Sequence, residues 1–135
     1  MSTFKQHVID KLYRTWIQYN NIKILVDFDD TLKTFNVTAQ EYCDEILETL
    51  KECQKYGAEV MLYTCRDGKK LHDALDYCEQ RDLFFDKINP CYPFQPDMSA
   101  KPFCNILLDD KAGLEQAFEI LKIVLQNYKK FKDEE

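Results

Sequence analysis

The chain has 135 residues, of which 45% are hydrophobic and 13% aromatic, which suffices for the core of one domain and excludes a disordered chain. Its net charge of -6 excludes a broad nucleic-acid-binding surface, because such a surface is basic, but it leaves open a nucleotide held through a metal ion. No apolar run approaches the ~20 residues of a membrane-spanning helix, so we expect a protein outside the membrane.

Six cysteines are the other notable feature of the composition. The first four fall in segments with helical or strand-like patterns, no two form a CxxC pair, and no signal-peptide pattern precedes them. We therefore expect reduced, mostly packed thiols and a cytoplasmic location.

The first predicted element is an amphipathic helix over residues 3–19, in which Phe4, Leu12 and Trp16 lie at near-helical spacing. We treat residues 1–20 as an N-terminal helical extension that packs onto the domain, with contact between copies of a homo-oligomer as the alternative. The aliphatic run at residues 22–26 is typical of a strand that is buried on both faces of a parallel sheet.

A loop without periodicity is predicted at residues 32–37. The capping-box pattern at residues 38–41 then begins a helix that ends at Gly57. The pattern next predicts a second strand at residues 59–63, a helix from about residue 69 to 81, and a third strand at residues 83–88.

Residues 89–101 hold three of the four prolines and are predicted to form an ordered loop. A fourth strand is predicted at residues 104–108 and a last helix from about residue 112 to 128, with residues 129–135 as a frayed tail. This alternation of strands and helices predicts one α/β domain over residues 1–135, with a central parallel sheet and right-handed crossovers.

Polar side chains follow three of the four predicted strands, at residues 27–31, 64–66 and 109–110. Ligands of parallel α/β sheets bind at the carboxyl ends of the strands, so we expect these three groups to meet at one edge. The sequence therefore predicts a functional site there.

The acidic residues of this edge form a hard-oxygen site that suits Mg²⁺. Asp27 and Asp109 are the predicted direct ligands, the backbone carbonyl of Asp29 is a third, and Asp110 competes with Asp109 for the same role. Clustered carboxylates raise one another's pKa, and a cation relieves that cost. A carboxylate beside Mg²⁺ can also attack phosphorus, which makes Asp27 the candidate nucleophile of an aspartyl-phosphate mechanism.

Three further side chains have candidate catalytic roles. Asp29 can protonate the leaving oxygen and then take a proton from the hydrolytic water. Thr64 supplies a hydroxyl near the phosphoryl group, with a helix-side cap as its alternative role. Lys101 supplies an ammonium group, unless it is an ordinary surface lysine and Lys69 or Lys70 takes this part.

The order and type of these residues resemble the haloacid dehalogenase (HAD) superfamily of phosphotransferases. Residues 27–31 match its first motif, DxDxT, with Asp30 where glycine is commoner. Thr64, Lys101 and the pair Asp109-Asp110 match the second, third and fourth motifs. The resemblance covers residues 22–125, and the first and fourth motifs at two strand ends are its most specific part.

The resemblance implies a three-layer Rossmann-like domain, Mg²⁺ as cofactor, Asp27 as nucleophile and Asp29 as acid and base. The Asp at position 29 resembles the phosphatases of the superfamily rather than its ion-pumping ATPases. The segments that hold a cap domain in many members are short here, so the chain resembles a small capless phosphatase. Thr31, Cys65 and Arg66 are the candidate substrate contacts, although Arg66 equally suits an ion pair with a structural acid.

The predicted activity is therefore hydrolysis of a phosphomonoester, with a phosphorylated small molecule, a nucleotide or another phosphomonoester as substrate. Two alternatives stay open. A receiver-like phosphoacceptor domain has a similar size and similar residues, but its phosphorylated Asp follows the third strand, where this chain has Asn89. A non-catalytic binding module on the same kind of fold is the other alternative.

Overall fold

A computed structural model describes residues 3–90 and 103–135 of the chain. The elements in chain order are α1 (Thr3–Tyr19), β1 (Lys23–Val26), α2 (Val37–Lys55), β2 (Glu59–Leu62), α3 (Gly68–Glu79), β3 (Lys87–Ile88), β4 (Ile106–Leu108) and α4 (Leu114–Asp133).

The four strands form one parallel sheet in the order β3-β2-β1-β4. β1 lies between β2 and β4, and its last residue, Val26, pairs with Leu62 on one side and Leu108 on the other. All carboxyl ends therefore meet at one edge of the sheet. The predicted fold class is confirmed as α/β, with a central parallel sheet flanked by helices, and is consistent with a three-layer Rossmann-like domain.

One face of the sheet carries the hydrophobic core. The strand residues on this face belong to a single buried cluster to which all four helices contribute. Its strand members are Ile24, Val26, Val60, Leu62, Ile106 and Leu108. Alternate residues of a strand point to opposite faces, so Leu25 and Met61, which are also buried, belong to the other face. Burial on both faces explains the nearly continuous apolar runs of the strands.

The N-terminal helix packs onto the domain, as expected. Trp16 is fully buried, and its indole ring stacks on Tyr128 of α4 with 4.3 Å between the ring centroids. The indole N–H donates a hydrogen bond to the Tyr56 carbonyl at 3.0 Å. A buried Trp that also satisfies its donor is a strong anchor for a helix. Phe4, in contrast, is 73% exposed and takes no part in the core.

The start of α2 differs from the prediction, and its end does not. The N-cap is Asn36, whose side chain accepts hydrogen bonds from the N–H groups of Thr38 and Ala39, so the capping box predicted at residues 38–41 is wrong. Asn is as good a cap as Thr, and here it comes first in the chain. Gly57 follows the helix with φ +95°, and a Cβ there would lie 2.6 Å from the Asn20 carbonyl oxygen. This position therefore requires glycine.

Three other boundaries were predicted incorrectly. β3 comprises only Lys87–Ile88, although Leu83, the first residue of the strand predicted at 83–88, is fully buried. β4 begins at Ile106 rather than at residue 104. The last helix continues to Asp133, so residues 129–133 are helical rather than frayed, and Lys129 there forms an ion pair with Glu52 of α2.

The crossovers that lead to β2 and β3 lie wholly within the described residues and contain one helix each. They therefore contain no cap domain. The loop predicted at 89–101 falls mostly on residues outside the described part of the chain.

Cys43, Cys53, Cys65 and Cys78 are free thiols. Cys43, Cys53 and Cys78 are buried, as expected, and burial raises the pKa of Cys53 and of Cys78 to about 12, which keeps these thiols protonated and unreactive. Cys65 is exposed. None of the helices in the described ranges is long and apolar enough to cross a membrane.

Candidate active site at the carboxyl edge of the sheet

The tips of β1 and β4 lie side by side. The pairing of Val26 with Leu108 places Asp27 next to Asp109, and the Asp27 N–H donates a hydrogen bond to the Leu108 carbonyl at 2.9 Å. Each of Asp27, Asp109 and Asp110 offers a carboxylate oxygen, and these three oxygens lie within 4.8 Å of one another. The sheet thus brings together two acidic groups that are about 80 residues apart in the sequence. This was predicted, because the carboxyl ends of parallel strands lie at one edge of a sheet.

The cluster is electrostatically costly. The pKa of Asp27 is raised from its ordinary value of 3.8 to about 7, first because the carboxyl group is partly buried and second because the charge of Asp109 lies close by. A hydrogen bond with Asp110 raises it further. Burial and like charge both disfavour the ionised form, so a neutral pH leaves Asp27 poised between its two protonation states.

The three carboxylates fit a divalent ion chemically. They offer oxygen atoms only, which is the donor type that Mg²⁺ prefers, and Mg²⁺ needs few protein ligands because it keeps several waters. Among the described residues, these three form the group of acidic, histidine or cysteine side chains that is close enough to hold one ion. The carboxylate of Asp29 does not belong to this group.

The turn after Asp27 is tight and hydrogen-bonded. The Phe28 carbonyl accepts hydrogen bonds from the N–H groups of Thr31, Leu32 and Lys33. Asp30 has φ +60°, in the left-handed region, and its carboxylate accepts a hydrogen bond from the Thr34 hydroxyl at 3.0 Å. Glycine adopts this conformation freely, and Asp is one of the few other residues that tolerates it. Asp30 can therefore occupy this position of the turn.

Thr31 links the two acidic tips. It is fully buried, and its hydroxyl oxygen accepts a hydrogen bond from the Asp110 N–H at 3.2 Å. A side chain without exposed surface does not fit the predicted role of substrate contact. Thr31 instead holds the backbone of the β4 tip against the turn that follows β1.

The carboxylate of Asp29 pairs with Arg66 rather than joining the acidic cluster. The guanidinium donates two parallel hydrogen bonds to the carboxylate, from Nη2 to Oδ1 at 2.8 Å and from Nε to Oδ2 at 3.0 Å. This contact lowers the pKa of Asp29, chiefly through the hydrogen bonds with Arg66. Of the two roles open to Arg66, the structure therefore places it in an ion pair with an acid, and that acid is itself a predicted catalytic residue.

Thr64 lies two residues after the end of β2 and contacts the backbone of Arg66. Its hydroxyl oxygen accepts a hydrogen bond from the Arg66 N–H at 3.1 Å, and its own N–H donates to the Asn89 side chain at 2.8 Å. A threonine that bonds the N–H two residues on stabilises a turn. Thr64 thus shapes the loop that carries Arg66. Asn89 follows β3 directly. This position at a strand end is the sequence feature that could have identified it as a residue of the site.

A cavity of about 450 Å³ opens at this side of the edge. Asp29, Cys65, Arg66, Asp67 and Lys70 line it. Cys65, Arg66 and Lys70 therefore lie near Asp29, where a substrate can reach them. Lys101, the first candidate for the phosphate-binding lysine, lies outside the described residues. Of its two predicted rivals, Lys70 lines this cavity.

Comparison with known proteins supplies a fold and no activity. A scan against models of known protein families finds no match, and a search of curated proteins finds none either. A solved structure of a conserved protein from Bacteroides thetaiotaomicron is similar to this chain, with a TM-score of 0.55 and 26% sequence identity. The likeness covers 85% of this chain and 93% of that one, so the two proteins share most of their fold.

Proposed function

We propose that the chain is a Mg²⁺-dependent phosphomonoester hydrolase that works through an aspartyl-phosphate on Asp27. The observation that carries this proposal is the carboxylate cluster of Asp27, Asp109 and Asp110 at the paired tips of β1 and β4. The resemblance of residues 27–31 and 109–110 to the motifs of the haloacid dehalogenase superfamily belongs to the same proposal.

Asp27 and Asp109 would hold the ion, with Asp110 beside them and the Asp29 backbone carbonyl as a further predicted ligand. When bound, Mg²⁺ supplies positive charge that offsets the repulsion between these carboxylates and the phosphate oxygens. The raised pKa of Asp27 supports this assignment, because the cost of ionising the cluster is a cost that a cation removes.

The chain's own residues account for the transfer. In the first step an Asp27 carboxylate oxygen forms a bond to phosphorus as the bond from phosphorus to the leaving oxygen breaks. In the second step a water oxygen attacks phosphorus, the bond to Asp27 breaks, and inorganic phosphate leaves with the Asp27 carboxylate restored. A proton reaches the leaving oxygen in the first step and departs from the water in the second.

Asp29 is the proposed carrier of that proton. Its pairing with Arg66 favours the ionised carboxylate, which is the form that accepts a proton from water. Donation to the leaving oxygen requires a protonated Asp29, and this form is weaker as a partner of Arg66. The resting geometry therefore suits the second step better than the first.

The strand order argues against the receiver alternative. In the flavodoxin-like order 2-1-3-4-5, which receivers share, the first strand lies between the second and third strands. Here β1 lies between β2 and β4, and β3 is beyond β2. The residue after β3 is Asn89, whose side chain accepts a hydrogen bond from Thr64, so no acid follows β3 directly. A non-catalytic module is disfavoured by the intact set of Asp27, Asp29 and Asp109.

The substrate class stays broad in this proposal: a phosphorylated small molecule, a nucleotide or another phosphomonoester. The two described crossovers contain no cap, which suits a bulky substrate or a lid from a second subunit. The free thiols of Cys43, Cys53, Cys65 and Cys78 support the proposed cytoplasmic location.

Turnover of p-nitrophenyl phosphate, with and without Mg²⁺, tests the proposal. We expect Mg²⁺-dependent release of nitrophenol by the natural sequence and loss of turnover in Asp27→Asn. Asp30→Asn is the matched control, because Asp30 lies three residues away, is exposed, and tolerates asparagine at its left-handed φ. Unchanged turnover in Asp27→Asn contradicts the proposal, as does equal loss in both variants.

A further inference from the structure

Arg66 is fixed from several directions. Besides its two hydrogen bonds to Asp29, it donates from Nη1 to the Lys70 carbonyl at 3.1 Å, in the first turn of α3. Its guanidinium carbon lies 4.8 Å from the centre of the Phe28 ring, which is buried and comes directly before Asp29 in the chain. These contacts come from the turn after β1 and from the first turn of α3, so the guanidinium has little freedom to rotate.

Asp29, in contrast, depends on Arg66 for its orientation. Its side chain is 54% exposed, whereas the side chain of Arg66 is 24% exposed. An exposed Asp on a turn would otherwise sample several rotamers. The paired hydrogen bonds fix the plane of the carboxylate as well as its position, which a lysine cannot do with a single ammonium group.

We infer that Arg66 is a positioning residue, which holds the Asp29 carboxylate in the orientation that proton transfer requires. This inference rests on the proposed function, because the role of Asp29 is part of that proposal. Three of the five N–H donors of the guanidinium are already used, two by Asp29 and one by Lys70. Arg66 thus acts on the reaction through Asp29, and the predicted role of substrate contact is secondary.

Arg66→Ala, Arg66→Lys and the natural sequence should be compared in steady-state turnover of p-nitrophenyl phosphate. We expect kcat of Arg66→Ala to fall by about 10- to 100-fold, with KM within about twofold, because misplacing a proton-transfer group slows the chemistry and leaves binding intact. Arg66→Lys keeps the charge but not the paired geometry and should recover less than half of the loss. Added guanidinium should partly rescue Arg66→Ala.

Arg81 provides the matched control. It lies 3.5 Å from the centre of the Tyr77 ring and donates to the Tyr77 carbonyl at 2.8 Å, so it makes the same two kinds of contact at the far end of α3. Arg81→Ala should leave kcat unchanged. A raised KM with unchanged kcat in Arg66→Ala overturns the inference, because it makes Arg66 a substrate contact. Equal losses in the Arg66 and Arg81 variants also overturn it.

A second measurement separates this inference from the proposed function. Three-bond NMR couplings to the Asp29 side-chain carboxyl carbon report its χ1 rotamer without any turnover. We expect one rotamer in the natural sequence and in Arg81→Ala, and averaging in Arg66→Ala. If the natural sequence shows no Mg²⁺-dependent turnover, the proposed function fails. These couplings alone then decide whether Arg66 fixes the orientation of Asp29. Rotamer averaging in the natural sequence overturns that inference.

Discussion

Asp27 and Asp29 stand two residues apart on one turn, yet their surroundings are opposite. Asp27 meets the carboxylates of Asp109 and Asp110, and its pKa rises to about 7. Asp29 meets the guanidinium of Arg66, and its pKa falls. The same side chain is thus pushed towards its neutral form in one place and towards its charged form in the other.

The cause of this difference is the position of β1 in the sheet. β1 has β4 on one side, whose tip supplies two acids, and β2 on the other, whose tip supplies Arg66. Asp27 lies directly after β1 beside the acids of the β4 tip, whereas Asp29 lies further along in the turn and is hydrogen-bonded to Arg66. Pairs of titratable groups whose environments separate their pKa values are typical of acid–base sites, which is why we assign the two residues different roles.

Among variants that keep the Asp27 nucleophile, the largest expected effect comes from removing the ionisable group at position 29. In Asp29→Asn we expect kcat to fall by about 100-fold or more, because a positioned acid or base contributes on that order. The side-chain amide keeps the shape, so binding of substrate should change little. Rapid quenching should show phosphorylated protein accumulating, since hydrolysis of the intermediate needs the base. Normal kinetics without accumulation would contradict the role of Asp29.

A smaller effect concerns stability and distinguishes the two acids by sign. With a chelator present, Asp27→Asn should stabilise the fold by about 2 kcal/mol near pH 8, a value reduced for screening of the partly exposed group. The folded pKa of Asp27 lies above the unfolded value of 3.8, so the folded protein holds a proton between pH 3.8 and about 7 that the unfolded chain has lost. The penalty that the variant removes is therefore full above pH 7 and disappears as the pH falls towards 3.8.

Urea unfolding at several pH values measures this difference. Asp29→Asn provides the contrast, because its folded pKa is lowered and the stability from its ion pair is present at neutral pH and lost as the pH falls. That variant should be slightly less stable than the natural sequence at neutral pH. Destabilisation by Asp27→Asn near pH 8 would contradict the electrostatic contrast.

The smallest effect is expected at Thr31, which joins the two tips. Thr31→Val keeps the buried shape but removes the acceptor of the Asp110 N–H, and we expect a loss of about 1 kcal/mol in the free energy of unfolding. Thr31→Ser keeps the hydroxyl and is the control for it, although it loses a methyl group. Equal stability of the valine variant and the natural sequence would show that the hydrogen bond contributes nothing.

The meeting of Asp27 with Asp109 and Asp110 could be predicted from the sequence. Aliphatic runs identified β1 and β4, and the acids directly after them had to meet at one edge once the strands were parallel. Local apolar patterns also gave α1 and the glycine after α2. These features depend on residues that are neighbours in the chain or on a rule of sheet topology.

The surroundings of Asp29 and the burial of Thr31 could not be predicted, for physical reasons. The pairing of Arg66 with Asp29 depends on side-chain directions at two separate turns, which a strand pattern does not fix. The burial of Thr31 depends on how closely the β4 tip packs against the turn at Asp30. The continuation of α4 to Asp133 goes with contacts between distant parts of the chain, namely the packing of Phe131 against the core and the ion pair of Lys129 with Glu52.

The central claim is that Asp27 and Asp109 share one divalent ion and that the Asp29 side chain does not. Carbon NMR of the aspartate carboxyl groups during a Mg²⁺ titration tests it most directly. We predict that the side-chain carboxyl signals of Asp27 and Asp109 shift together and are complete at one equivalent under tight-binding conditions, while that of Asp29 stays nearly unchanged. If the Asp27 and Asp109 signals do not move, or move at different Mg²⁺ concentrations, the shared ion and the mechanism built on it are wrong.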